Sequence, residues 1–232
     1  MRTDSAGTSG WEIKARYAVR IMLKWAGFVT IREREREFAK SCILQIKSAN
    51  SPQPLRILDI GSSSSYVPLQ LARQGHQVVA VDIRPYPLRH RNLTYISGDV
   101  TDASFGEGLS PFDVVTCIST LEHIGLGYYG EKMARQGDEM AVATLHRLLK
   151  PGGSLLLTLP FAGKFSQDDF QRVYDFENIN RLFSVGWRLK EERFHIPRSR
   201  KNWVIANKQQ VLQCYAVYPE SNNACFWFEK LR

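Results

Sequence analysis

The sequence has few cysteines, no long apolar run and no glycine-rich nucleotide fingerprint after its first strand, and each shortage removes a class of protein. Its four cysteines, Cys42, Cys117, Cys214 and Cys225, lie far apart with no C-x-x-C pair. That spacing suits neither a zinc site nor a disulfide framework, so a reduced, cytoplasmic chain without a metal is expected. The apolar stretch Trp25 to Ile31 is far short of the roughly 20 residues a spanning helix needs. The first residues, with Asp4 and no apolar segment before a small-residue cleavage site, do not read as a secretory leader. The turn after the first strand, Gly61 to Ser65, carries no G-x-G-x-x-G, which argues against a nicotinamide-dependent dehydrogenase. Acids are also scarce: 31 Lys and Arg against 23 Asp and Glu leave a net charge of +8.

What is present is ordinary for a globular chain. The 232 residues are 44% hydrophobic and 23% charged, enough to bury a large core without staples. The positive excess is uneven: residues 1–50 hold 10 basic and 5 acidic groups, residues 51–160 hold 9 and 10, and residues 161–232 hold 12 and 8. A balanced middle therefore sits between basic flanks, and an anionic partner would meet the flanks.

Residues 1–10 are small and polar and read as disordered. Ile13, Tyr17, Ile21, Trp25 and Phe28 then recur at helical spacing, with Arg16, Arg20 and Lys24 on another face. A break at Gly27 precedes a second helix from Arg32 to Ala49, rich in alternating Arg and Glu, and Ser48 to Pro54 reads as a linker. Beyond it, strand patterns over Leu55 to Ile60, Gln77 to Ile83, Asn92 to Ser97, Phe112 to Ser119 and Ser154 to Leu159 alternate with helical ones over Tyr66 to Gln74 and Asp138 to Leu149. That alternation predicts a parallel α/β sheet. The tail offers a helix from Phe176 to Ser184 and strands over Trp187 to Ile196, Val211 to Val217 and Ala224 to Phe228. Arg198 to Lys201, with Trp203, reads as a solvated loop.

Three acids end strands. Ile57-Leu58-Asp59-Ile60-Gly61 is an apolar run closed by an acid and a glycine, where backbone can approach a ligand closely. Val78 to Asp82 places a carboxylate 21 residues after Gly61, where it can accept ribose hydroxyls. Gly98-Asp99-Val100 follows the third strand. Phe112-Asp113-Val114-Val115 then leads through Ser119 to Leu121-Glu122-His123-Ile124-Gly125, and Leu148 to Gly153 turns into the next strand.

In this order and spacing, residues 55–160 resemble the class I S-adenosylmethionine-dependent methyltransferases, in particular the type 11 methyltransferase domains. The run Leu121 to Gly130 is similar to a bacterial group lying partly among glycan-related methyltransferases. The departure is the loop Ser62 to Ser65, which stands where such domains usually carry glycines. The resemblance implies a Rossmann-like three-layer sandwich, with a mostly parallel seven-stranded sheet ending in an antiparallel pair. It implies a methyltransferase domain over residues 51–232, preceded by an N-terminal helical extension or lid over residues 1–50. It further implies S-adenosyl-L-methionine as cofactor, with Asp59, Gly61, Ser62 and Ser63 at its methionine end, Asp82 and Ile83 at the ribose, Asp99 and Val100 at adenine, and Ser119 beneath the sulfonium.

Methyl transfer to a hydroxyl needs a base, and the candidates after the fourth strand are His123 and Glu122. Tyr128, Arg172 and Tyr174 are the expected acceptor contacts, with surface pairing of Arg172 and Asp175 as the plainer reading. The acceptor is expected to be a hydroxyl, carboxyl or amine of a small or glycan-like molecule. An RNA methyltransferase using the basic flanks is the alternative, though the Asn-Pro-Pro-Tyr motif of base-amine enzymes is absent. A methyltransferase-like scaffold without turnover is another. The first helix reads as a lid over the cleft, or as a peripheral contact with an anionic surface; the oligomeric state is left open.

Overall fold

The computed structural model describes residues 9–49, 53–199, 201–213 and 221–232. Two helices come first, α1 (Gly10–Trp25) and α2 (Ile31–Ala49). Ser9 accepts from the Glu12 amide while Glu12 reaches back to Ser9, a reciprocal box that sets the start of α1. Then come β1 (Arg56–Ile60), α3 (Val67–Arg73), β2 (Gln77–Asp82), β3 (Leu93–Ser97) and β4 (Phe112–Ile118). A short 3-10 turn, Leu121–His123, precedes α4 (Gly137–Leu148) and β5 (Leu149–Phe161). The remainder is a small hairpin, β6 (Ser166–Gln167) with β7 (Arg172–Val173), then α5 (Phe176–Phe183), β8 (Trp187–Ser199), β9 (Asn202–Ala206), α6 (Lys208–Gln213) and β10 (Asn222–Lys230).

The main sheet has eight strands in the order β3-β2-β1-β4-β5-β10-β8-β9. The five from β3 to β5 are parallel, and β10 runs antiparallel to both of its neighbours. Successive residues of a strand face opposite sides, and the layers follow from that rule. Ile57, Val114, Leu156 and Cys225 face Phe38, Cys42, Ile43 and Ile46 of α2. Leu58, Val115, Leu155 and Leu157 join a second core with Ala141, Leu145 and Leu148 of α4 and Ile179 and Phe183 of α5. The result is a Rossmann-like three-layer α/β fold.

Two sequence expectations change here. The sheet has an eighth strand, β9, because Arg198 and Ser199 end β8 and Asn202 opens a return strand that buries Trp203. The Trp203 amide also donates to Val29 O at 2.8 Å, so the link between α1 and α2 covers this edge. The stretch from Val211 begins as helix: Asn207 and Gln210 exchange side chain-to-amide bonds of 2.9 Å each, which start α6 and bury Val211. Residues 214–217 of that expected strand, like residues 1–8, lie outside the described residues. The helix α2 shares a core with the sheet.

Candidate functional site

Strand order reverses between β1 and β4, and in such sheets the crevice outside the carboxyl ends at this point takes ligands. A cavity of about 210 Å³ lies there. Gly61, Asp82, Ile83, Asp99, Val100, Ser119 and His123 line it. Gly61 has φ +80, and a Cβ there would stand 2.1 Å from Thr120 Oγ1, so no other residue fits. Asp82 is nearly buried. Its Oδ2 accepts from the Ser63 amide at 2.9 Å, and its Oδ1 accepts from Arg84 N at 2.9 Å and Nε at 3.3 Å. An ionised carboxylate has about four acceptor positions, so one remains beside these three. Asp99 Oδ1 accepts from the amide and hydroxyl of Thr101.

Three expected cofactor residues do not face the cavity. Ser62 Oγ donates to Asp59 Oδ2 at 2.9 Å and accepts from the Val81 amide at 3.1 Å, while Thr116 Oγ1 donates to Asp59 Oδ1 at 2.6 Å. Asp59 and Ser62 are thus a buried brace under the floor, and burial pushes the Asp59 carboxyl up to about 7 against those two bonds. Ser63 meets the site through its amide on Asp82; its hydroxyl is buried without a partner among the described residues. Ser64 is the serine of this loop on the wall.

The wall beneath β4 is tied to α2. Ser119 holds φ +45, unusual outside glycine, and its amide donates to Thr158 O and Oγ1 at 2.9 and 3.0 Å. Its hydroxyl donates to Glu35 Oε1, which also accepts from Thr158 Oγ1 at 2.9 Å and Asn223 Nδ2 at 3.1 Å. Glu35 is fully buried, and its second oxygen takes Nη1 of Arg32 at 3.0 Å. Arg32 itself lines the cavity. A buried carboxylate is tolerable when four donors meet it.

At the opposite end stand His123, Tyr129, Phe170, Arg84 and Glu131. His123 Nδ1 is 2.7 Å from Phe170 O, and since a carbonyl only accepts, Nδ1 carries the proton. Nε2 then lies 3.8 Å from Glu122 Oε1. Burial lowers the His123 pKa, keeping the ring neutral, and pushes the buried Glu122 carboxyl up to about 8 despite nearby Arg32. Glu122 itself is behind the wall, reaching the cavity through His123. Glu131 accepts from the amides of Gly127 and Tyr129 at 2.8 and 3.0 Å, holding the loop beyond Gly125 closed on itself. Arg84 lies 4.2 Å over the Tyr129 ring.

The expected acceptor contacts fall elsewhere. Tyr128 is half exposed and packs edge-on against Phe170 outside the lining. Arg172 and Tyr174 are buried behind the wall. Arg172 donates to Ile124 O at 2.8 Å and Gln167 Oε1 at 3.1 Å and pairs with Asp138 at 3.7 Å, and the Tyr174 hydroxyl donates to Asp138 at 3.1 Å. Asp175 caps α5 through the Asn178 amide instead of pairing with Arg172. From residues 1–50 the lining takes Arg32 of α2 and nothing from α1. Glu35 was legible in principle, since it interrupts the apolar stripe Phe38, Cys42 and Ile46 at helical spacing. Phe170, Arg84 and Arg32 carry no local signal.

The topology is the fold of the class I S-adenosylmethionine-dependent methyltransferases. Residues 58–157 match the family model described as a methyltransferase domain. Over 111 residues the chain is 29% identical to a ubiquinone biosynthesis O-methyltransferase of Xanthomonas oryzae pv. oryzae, an alignment covering 44% of this chain. It spans only 42% of that relative's length. Among solved structures, 1,6-didemethyltoxoflavin-N1-methyltransferase of Burkholderia thailandensis, crystallised with its substrate and S-adenosylhomocysteine, has a TM-score of 0.56 at 15% identity, covering 81% of this chain and 76% of that one. The [4+2]-cyclase SpnF has a TM-score of 0.58 at 13% identity over 97% of both chains.

Proposed function

We propose that this chain transfers a methyl group from S-adenosylmethionine to a hydroxyl on a small, planar molecule. The observation that carries the reading is one cavity joining the ends of β1, β2 and β4 to an aromatic wall holding a neutral histidine. The residues suit the cofactor. Gly61 allows backbone approach, Asp82 keeps an acceptor position for a ribose hydroxyl, Ile83 and Val100 offer apolar walls for a purine, and Arg32 can meet a carboxylate. The hydroxyl acceptor is supported by the O-methyltransferase relatives, and a planar one by the aromatic side chains of Tyr129 and Phe170 in the lining.

When bound, the cofactor supplies an activated methyl on a sulfonium, so the protein's work is placement, water exclusion and removal of one proton. His123 Nε2 receives the acceptor proton. Its ring is set for this by the Nδ1–H bond to Phe170 O. At 3.8 Å the Glu122 carboxyl is beyond hydrogen-bond reach of Nε2, and while protonated it adds no charge beside the ring. Once ionised, Glu122 stabilises the imidazolium that forms through its charge.

Calorimetry with S-adenosylhomocysteine tests the cofactor half, and transfer of labelled methyl to a panel of phenols, aliphatic alcohols and amines tests the acceptor half. Micromolar binding with turnover on phenols is expected. Tight binding without turnover on any acceptor points to a scaffold, and absence of binding removes the whole reading.

A further inference from the structure

The outer face of α1 is apolar and has nothing packed on it among the described residues. At about 100° per residue, Trp11, Ala15, Ala18, Val19, Met22 and Trp25 share roughly one third of the helix circumference, with no charged residue among them. Trp25 is 88% exposed, Trp11 76%, Met22 69% and Val19 54%. The opposite face does the packing: Ile13 is buried with Leu69, Tyr86 and Leu88, and Tyr17 stacks on Tyr66 at 4.1 Å while accepting from Gln70. The apolar stripe expected to close the cleft therefore divides, with Tyr17 inward and Trp25 in solvent.

Basic groups stand at both ends of this stripe. At its start, Gly10 lies against Pro87 and Leu88, and the exposed Arg89 and Arg91 follow directly. At its end, Lys201 sits 5.3 Å over Phe28, next to the exposed Arg198. Lys14 and Arg16 are exposed along the flanks. The nearby acids are engaged, Glu12 with Ser9 and Glu33 and Glu37 with Lys24.

We infer that the outer face of α1 seats this protein on an anionic bilayer surface, with Trp11, Met22 and Trp25 in the headgroup boundary and the flanking cations on lipid phosphates. Amphipathic helices with Trp on the apolar side and Lys or Arg around it bind such surfaces by combined burial and charge attraction. A nucleic acid fits this face poorly, since the stripe between the basic ends carries no cation to meet phosphates. A second copy fits poorly too, because pairing two such helices antiparallel brings Arg89 and Arg91 against Arg198 and Lys201.

The test is sedimentation of the full chain with phosphatidylcholine vesicles and with vesicles containing about a third phosphatidylglycerol, alongside Trp emission. Binding to the anionic vesicles with a blue shift, weakened by salt and reduced at least tenfold in Trp11→Ser/Trp25→Ser, is the expected result. Both positions are exposed, so the variant should keep wild-type melting and S-adenosylhomocysteine affinity; Met22→Glu provides a second variant with the same expected loss. No partition onto anionic vesicles overturns the inference. So does partition unchanged by either variant, or a dimer or RNA complex lost in the variants when vesicles are not bound. These outcomes are independent of whether methyl transfer is observed.

Discussion

Ser119 donates its hydroxyl to Glu35, joining the end of β4 to a helix 84 residues earlier in the chain. Through this contact α2 becomes part of the cavity. Glu35 also holds Arg32, so one buried carboxylate sets two wall residues.

Glu35→Gln is expected to lose about 1–3 kcal/mol of stability, because the amide presents a donor where Arg32 or a buried hydroxyl already donates. S-adenosylhomocysteine affinity should fall at least fivefold as Ser119 and Arg32 lose their anchor. Urea denaturation and calorimetry measure the two effects. A destabilised variant with unchanged affinity would confine Glu35 to the core.

Asp82→Ala should weaken S-adenosylhomocysteine at least tenfold. One charge-assisted bond of roughly 1.5–3 kcal/mol is lost with the side chain. Arg84 and the Ser63 amide also lose their common acceptor, and with it the local shape of the wall. Titration of the folded variant decides the matter, and full affinity would put the cofactor elsewhere.

His123→Ala should slow transfer about a hundredfold or more with cofactor affinity nearly unchanged. The wild-type rate should climb with pH through about 8 as Glu122 ionises and its charge stabilises the His123 imidazolium. Glu122→Gln should be slow and flat across that range. A Gln variant that keeps the alkaline rise would assign the titration to the acceptor itself, and a His123→Asn enzyme at wild-type rate would remove the base role.

Asp59 ties stability to pH. Its folded pKa of about 7 lies above the unfolded value of roughly 3.9, so the folded chain holds the proton more tightly. The stabilisation is complete below the unfolded pKa and is lost as pH rises through about 7. Wild-type stability should therefore drop between pH 5 and pH 8 relative to Asp59→Asn, by on the order of a few kcal/mol. Thermal melts at both pH values measure the difference, and parallel melts would place the carboxylate in a wetter setting than the floor of β1.

Several elements were legible because their causes are local. Ile57 to Gly61 and Val78 to Asp82 announce parallel strands, since strands covered on both faces are continuous apolar runs and end where polar groups begin. The helices α4 and α5 follow from 3.6-residue spacing. Gly61, Asp82 and Asp99 reach the cavity because strand ends in a parallel sheet share one edge. Trp203, by contrast, looks like part of a basic loop until Val29 arrives to cover it.

Local pattern thus determined the parallel sheet, the strand-end carboxylates and the glycine of the first turn, because period and turn chemistry act over a few residues. Only tertiary structure decided which side chains the cavity uses. Asp59 and Ser62 turn inward because Thr116 and Val81 complete their hydrogen bonds, and Arg172 is buried because Asp138 and Ile124 O receive it. Arg32 and Phe170 enter the site from distant segments that no spacing connects. A buried polar group goes where its partners are, and those partners are assembled only when the chain folds.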